Sequence, residues 1–452
     1  MRVAIIGTGY VGLTTCVAMA YLNHEVVGVD VDPKKLEALR RGKSPIHEPG
    51  IQKLLDQVGE NVCFTDKLAD AIANADIIMI AVGTPPKRDG DADASYVEEA
   101  ARQVAQGLQP KRTYTLVVKS TVPIGTNRRV ANVITRALSE RQVKTKIHLA
   151  SNPEFLQEGL ALRGTFYPDR IVVGVEESEG VEALRRLYRP ILEQTFEPPS
   201  FLPRREGYSL PPLITTDPTS AEMIKYAANT FLTLKISFIN EIAGLCEKVG
   251  ADVTEVSRGI GLDTRIGQRF LEAGLGWGGS CFPKDTAALL SVAGEYGYTM
   301  QIVQAAREVN WRQRQLIVEK LQSALKILRG RTIGILGLTF KPNTDDVREA
   351  PAMDIIRALI GRGAHVQAHD PIAIPHARKL LKGLDVAFEE DVYRLADGAD
   401  ALVLVTGWET YHSLDLAELG KRMNNRVLVD GRNFFVPDDA HAAGFVYMGV
   451  GR

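Results

Sequence analysis

The chain has 452 residues, 24% of them charged, and a formal net charge of −1. That length suits two or three domains, and the near-neutral balance argues against a nucleic-acid or anionic-membrane partner. Its four cysteines (Cys16, Cys63, Cys246, Cys281) do not make a disulfide framework, and no Cys/His cluster suggests a metal; a reducing, cytoplasmic setting is expected. The apolar run in MRVAIIG is too short for a signal-peptide core, and no stretch nears the ~18 apolar residues of a membrane span.

In chain order, residues 3–7, 25–30, 75–83, 114–120, 146–153 and 170–175 are short apolar runs separated mostly by helical patterns. They predict strands buried on both faces of a parallel α/β sheet. Directly after the first run comes Gly7-Thr8-Gly9-Tyr10-Val11-Gly12. In such a GxGxxG turn the first glycine allows the tight turn, and the second lets backbone approach a pyrophosphate. The third permits close helix–strand packing, and the helix N-terminus beyond offers free N–H groups to the anion. Asp30 ends the next strand, at the distance expected for a ribose-binding carboxylate that would repel a 2′-phosphate, so NAD is expected rather than NADP. Helix capping is the other reading of Asp30, but Asp32, followed by Pro33, suits capping better. Lys35 lies near the same ribose position or is a solvated surface lysine. Thr84-Pro85 and Thr121 follow strands and would line the nicotinamide side, or they are turns closed by proline.

The loop SNPEFLQEG brings Glu154 and Glu158 after another strand. Residues 193–213 are proline-rich and without period, and predict a mobile surface loop, a regulatory element or a cover. A helix of about 30 residues is expected over 217–250, capped by Asp217 or Thr219 and ended by Gly250. It is apolar around most of its circumference, which predicts burial between layers and a subunit interface. Lys225 and Asn229 share one face of it, either in use or in a structural ion pair. In GWGGSCFPKDT, Cys281 alone among the cysteines sits in a glycine-rich loop, beside Lys284 and Asp285. Cys16, Cys63 and Cys246 look like small buried hydrophobes, whereas the glycines around Cys281 would clear space for a substrate at a reactive thiol. From residue 331 the strand pattern restarts, with runs at 331–340, 363–371, 399–408 and 425–433 and no close sequence repeat of the first half.

Together GTGYVG, STVPIGT, NPEFLQEG, SAEMIKYAANTF, GLDTRIG, GWGGSCFPKDT, GLTFKPNTDDVREAP and DGRN resemble, in order, the UDP-glucose/GDP-mannose dehydrogenase family. The resemblance implies two Rossmann-like doubly wound domains joined by a long central helix that builds a homodimer. The expected segments are an NAD-binding domain over 1–200, a central region over 214–310 and a nucleotide-sugar domain over 325–452. It implies oxidation of a nucleotide sugar at C6 to a carboxylate, with UDP-glucose expected and GDP-mannose or a UDP-N-acetylamino sugar as alternatives. By motif, Cys281 would be the nucleophile, passing through a thiohemiacetal and a thioester. Glu154 would be the base for hydrolysis, Lys225 the oxyanion partner and Asn229 a holder of the C6 oxygen. Asp285, with a water near Thr121, would take the alcohol proton. Glu158, Lys284 and Arg348 would serve the cofactor with Tyr10 and Val11. Phe155, Leu156, Arg265 (toward a neighbouring subunit), Phe270, Leu275, Gly276, Trp277, Gly278, Phe340, Lys341 and Arg432 would meet the substrate. A non-catalytic nucleotide-binding protein is the reading from another class, and the presence of Cys281, Lys225 and Glu154 speaks against it.

Overall fold

The apolar runs do become strands. In the computed structural model, which describes residues 1–87, 90 and 92–452, they form one sheet in each of two compact units, residues 1–227 and 228–452. The first sheet holds β1 (Arg2–Ile6), β2 (Glu25–Val29), β3 (Val62–Thr65), β4 (Ile77–Ile80), β5 (Thr113–Val118), β6 (Lys146–Ser151), β7 (Ile171–Val175) and β8 (Leu213–Thr216), in the order β3-β2-β1-β4-β5-β6-β7-β8. All four residues of β4 and all five of β7 are buried, as strands covered on both faces require.

The sheet is not wholly parallel. β7 runs antiparallel to β6, with Ala150 opposite Val175, and β8 follows β7 in parallel. An apolar run buried on both faces reads the same in either direction, so this reversal leaves no sequence mark. It puts Arg170, just before β7, at the sheet edge where β5 and β6 end.

The proline-rich stretch is anchored rather than loose. Phe196, Phe201, Leu202 and Tyr208 pack on the core of the first unit. The Tyr208 hydroxyl donates to Pro168 O (2.8 Å), and Arg204 Nη2 donates to Gln194 O (3.0 Å). Its aromatic residues, spaced without period, do the anchoring, and its last residue, Leu213, begins β8.

The long helix spans Pro218–Val249, and the unit boundary falls within it. Asp217 Oδ1 accepts from Ser220 N (2.9 Å), and Pro218 opens the helix where no N–H is needed. Gly250, at φ +76°, ends it with its N–H on Cys246 O. The helix is not buried all round: Phe231, Phe238, Leu245 and Val249 form an exposed stripe. No helix among the described residues is long and apolar enough to cross a membrane.

The second sheet is parallel throughout: β9 (Thr332–Leu336), β10 (His365–His369), β11 (Val386–Phe388), β12 (Ala401–Leu404), β13 (Val427–Asp430) and β14 (Val446–Met448), ordered β11-β10-β9-β12-β13-β14. The echo of the first unit reaches individual hydrogen bonds. Gly7 N–H donates to Val29 O (2.7 Å) and Gly337 N–H to His369 O (2.8 Å). Thr8 N–H donates to Asp30 Oδ2 and Leu338 N–H to Asp370 Oδ2, both at 2.8 Å.

Candidate active site

The GxGxxG turn divides its glycines between fold and ligand. Gly7 has φ +92°, and a Cβ there would lie 2.8 Å from Ala81 O. A Cβ on Gly12 would lie 1.8 Å from Gly7 O. A Cβ on Gly9 would meet nothing within 4 Å, so its backbone borders open space at the N-terminus of the helix Tyr10–Tyr21. That helix has no side-chain cap, which leaves its first N–H groups for an anion. Asp30 is buried, accepts from Thr8 N and Thr8 Oγ1 at Oδ2 and from Asp32 N at Oδ1, and lies 3.7 Å from Lys35 Nζ. Burial opposes its charge, but these donors and Lys35 hold its carboxyl below the usual range. Among the described residues Oδ1 has one donor, Asp32 N, and so keeps a lone pair for a ribose hydroxyl. Asp370, its counterpart, has none: Leu338 N, Trp408 Nε1, Ile372 N and Ala373 N fill its acceptor sites. Asp32 is the cap, accepting from Lys34 N and Lys35 N. These residues of the first unit fit a dinucleotide.

Thr84 Oγ1 donates to Thr121 O (2.8 Å) and Ser120 Oγ to Val82 O (2.7 Å), so the loops after β4 and β5 are stitched together. Pro85 lies in the first of them. Val11 follows Tyr10 in the first helical turn. The Tyr10 hydroxyl bonds Glu48, which also accepts from Gly159 N and Ala161 N, both at 2.7 Å. Buried Glu48 thus ties the dinucleotide helix to the loop that carries Glu154 and Glu158. Sequence reasoning passed over it; an acidic residue before Pro49-Gly50 in a polar stretch was the available signal.

In that loop Glu154 is buried beside buried Lys225, with Nζ 3.1 Å from Oε1, and its Oε2 accepts from Leu156 N (2.5 Å). Burial opposes ionisation of Glu154, but Lys225, the Leu156 N–H and Lys119 prevail and keep its carboxyl below the usual range. Phe155 lies under both Arg170 and Lys225, whose cationic centres are 4.0 and 5.3 Å from its centroid. Lys119, which sequence reasoning also passed over, is a buried cation near Glu154 and Lys225, and burial pushes it down to about 8.

In the second unit Cys281 is exposed and caps the helix Phe282–Glu295, with Ser280 Oγ 3.6 Å from Sγ. A helix N-terminus favours negative charge on such a sulfur. Asp285, fully buried one turn on, accepts from Lys284 Nζ at Oδ1 and from Asn229 Nδ2 at Oδ2, both at 2.6 Å. Lys284 is therefore paired with Asp285. Cys16 and Cys246 are buried as expected, but Cys63 is exposed. It sits on β3, the edge strand of its sheet.

The glycines before Cys281 are set closely against other parts of the second unit. A Cβ on Gly276 would lie 2.2 Å from Asn310 Oδ1, one on Gly278 2.2 Å from Glu349 O, and one on Gly279 2.8 Å from the Phe340 ring. Each of these glycines is hemmed in by protein atoms on the side where a Cβ would stand. The Leu275 and Trp277 side chains are likewise buried, and Trp277 Nε1 donates to Ser237 Oγ (3.1 Å). Phe270 adopts φ +67° and packs near Phe282. Arg432 spends its donors on three carbonyls, Val405 O (2.8 Å), Gly276 O (3.3 Å) and Phe340 O (3.3 Å), and so ties three loops together. Lys341 lies over Phe340, Arg348 forks onto Asp346, and exposed Arg265 forks onto Asp263.

Three family models match in chain order: the NAD binding domain of the UDP-glucose/GDP-mannose dehydrogenase family over residues 1–192, its central domain over 219–312 and its UDP binding domain over 334–437. The chain is 45% identical to a UDP-glucose 6-dehydrogenase of Rhizobium meliloti, covering all of both chains. It is 43% identical to the UDP-glucose 6-dehydrogenase TuaD of Bacillus subtilis, covering all of this chain and 93% of that one. A UDP-glucose dehydrogenase from the archaeon Pyrobaculum islandicum superposes with a TM-score of 0.87 at 40% identity, over 99% of this chain and 97% of that one. With its dinucleotide loop built as the NAD binding domain requires, the chain belongs to the UDP-glucose/GDP-mannose dehydrogenase family: it is an oxidoreductase whose cofactor is NAD.

Proposed function

We propose that this enzyme oxidises the C6 alcohol of UDP-glucose to the carboxylate of UDP-glucuronate. NAD supplies the hydride acceptor for each of the two oxidations. Asp285, through a water near Thr121, takes the alcohol proton. The Cys281 thiolate adds to the C6 aldehyde to give a thiohemiacetal, which the second oxidation converts to a thioester. Water then attacks C6, Glu154 takes its proton, and the C6–S bond breaks with its electron pair returning to Cys281. Lys225 and Asn229 steady the oxygen on C6 as charge develops.

The setting of Cys281 supports this reading most: it is the exposed thiol at a helix N-terminus, with a buried acceptor, Asp285, one turn away. Relatives at 43–45% identity named for UDP-glucose favour that sugar over GDP-mannose or an N-acetylated UDP-sugar. The three segments 1–200, 214–310 and 325–452 would then serve NAD, the central thiol region and the nucleotide sugar. The exposed stripe Phe231, Phe238, Leu245 and Val249 is a natural seat for a second copy in a cytoplasmic homodimer. A panel of UDP-glucose, GDP-mannose and a UDP-N-acetylamino sugar, with products identified by mass, tests the substrate. UDP-glucose as the best substrate supports the reading; preference for another sugar replaces it.

A further inference from the structure

Lys119 follows β5, and its side chain is buried. An ammonium has three donors, and among the described residues Lys119 Nζ has one hydrogen-bond partner, Asn152 Oδ1 at 3.2 Å. Asn152 is itself fixed, donating from Nδ2 to Val172 O (2.7 Å) and accepting the Tyr188 hydroxyl at Oδ1 (2.5 Å). Lys119, Asn152, Glu154, Arg170 and Tyr188 line one cavity of about 60 Å³. The cavity is lined by apolar as well as polar side chains, and its polar groups, Lys119, Asn152, Glu154, Arg170 and Tyr188, could hold a water that answers the remaining donors of the ammonium.

We propose that Lys119 is a positioning residue for hydrolysis: with water in this cavity, its ammonium holds the Glu154 carboxylate charged and oriented to receive a proton. The proposal rests on the reading of Glu154 as the base that hydrolyses the Cys281 thioester. The charged or titratable groups around Glu154 are Lys225 from the central helix, Lys119 from the end of β5, Arg170 from the start of β7 and Tyr188 from the helix Ser178–Glu193. Lys225 pairs with Oε1 directly, and Lys119 shares the cavity wall with the same carboxylate. During hydrolysis the attacking water gives its proton to Glu154, its oxygen bonds to C6, and the thiolate leaves. A base held charged by two cations stays available to lower pH than one held by a single cation.

The test compares wild type, Lys119→Met, Lys119→Gln and Lys119→Arg with saturating NAD and UDP-glucose across pH. Uronate formation and the covalent adduct on Cys281, read by intact mass, are followed together. In Lys119→Met the acid limb of uronate formation should move up by about one pH unit, with the adduct accumulating below it. The rate of the first NADH should fall less than uronate formation does, and Lys119→Arg should restore the wild-type limb. Lys119→Gln, which keeps a donor for Asn152 but no charge, carries the same expectation if Lys119→Met does not fold. An unmoved limb in the neutral variants, or a Lys119→Arg that behaves like them, overturns the proposal. Wild-type enzyme that makes no NADH from UDP-glucose removes the underlying reading instead.

Discussion

Lys225 and Glu154 form a buried ion pair, 3.1 Å from Nζ to Oε1, between a helix and a strand-end loop 71 residues apart in sequence. Removing one partner leaves the other charge buried without its counterion. Lys225→Ala should therefore cost about 3–5 kcal/mol of stability, read by denaturant unfolding at pH 7. The pair also fixes a sign. Because the Glu154 carboxyl is held low in the fold, the stability it contributes is present above the usual carboxylate range and lost as pH falls through its folded value. In Glu154→Gln that acid-side loss should shrink.

Glu222 has the opposite sign. It is buried and accepts from Gly125 N (2.5 Å) and Asn127 N (2.8 Å) where the helix Thr126–Glu140 begins. Burial outweighs those two donors and raises it to about 7. Its folded pKa lies above the unfolded one, so its contribution is full below the usual carboxylate range and is lost as pH rises through about 7. Melting temperatures of Glu222→Gln between pH 5 and 8 should vary less with pH than those of wild type.

The glycines of the dinucleotide turn should separate cleanly by substitution. Gly9 has φ −70° and open space beyond it, so Gly9→Ala should fold with an unchanged melting temperature. Its KM for NAD should rise at least about tenfold, because the methyl occupies the approach of the pyrophosphate. Gly12→Ala puts a methyl into Gly7 O and should lose about 3 kcal/mol or more. Equal melting temperatures for the two variants would contradict this division.

Gly278→Ala tests the packing of the thiol loop. Its methyl would meet Glu349 O, so the variant should lower the melting temperature as well as turnover. Had the glycine spared room only for substrate, turnover alone would fall.

Much of this was legible in the sequence. The motif Gly7–Gly12, the strand runs and the long helix are local patterns, and Asp217 and Gly250 mark the helix ends at Pro218–Val249. What was hidden is non-local. The direction of β7 leaves no trace in a run buried on both faces. A glycine at 276 or 278 says that something comes close, but not whether it is a ligand or Asn310 and Glu349. Lys119 reads as an ordinary charge ending a strand, and only the fold places it beside Glu154 and Lys225. Glu48 is one acidic residue in a loop until Tyr10, Gly159 and Ala161 converge on it.

A four-electron oxidation through Cys281 is the proposed chemistry. NADH counted against UDP-glucose consumed, for wild type and for Cys281→Ser, tests it most directly. Two NADH per sugar are expected for wild type, with a collapse of uronate formation in Cys281→Ser. One NADH per sugar in wild type, or uronate formed at full rate by Cys281→Ser, would contradict it.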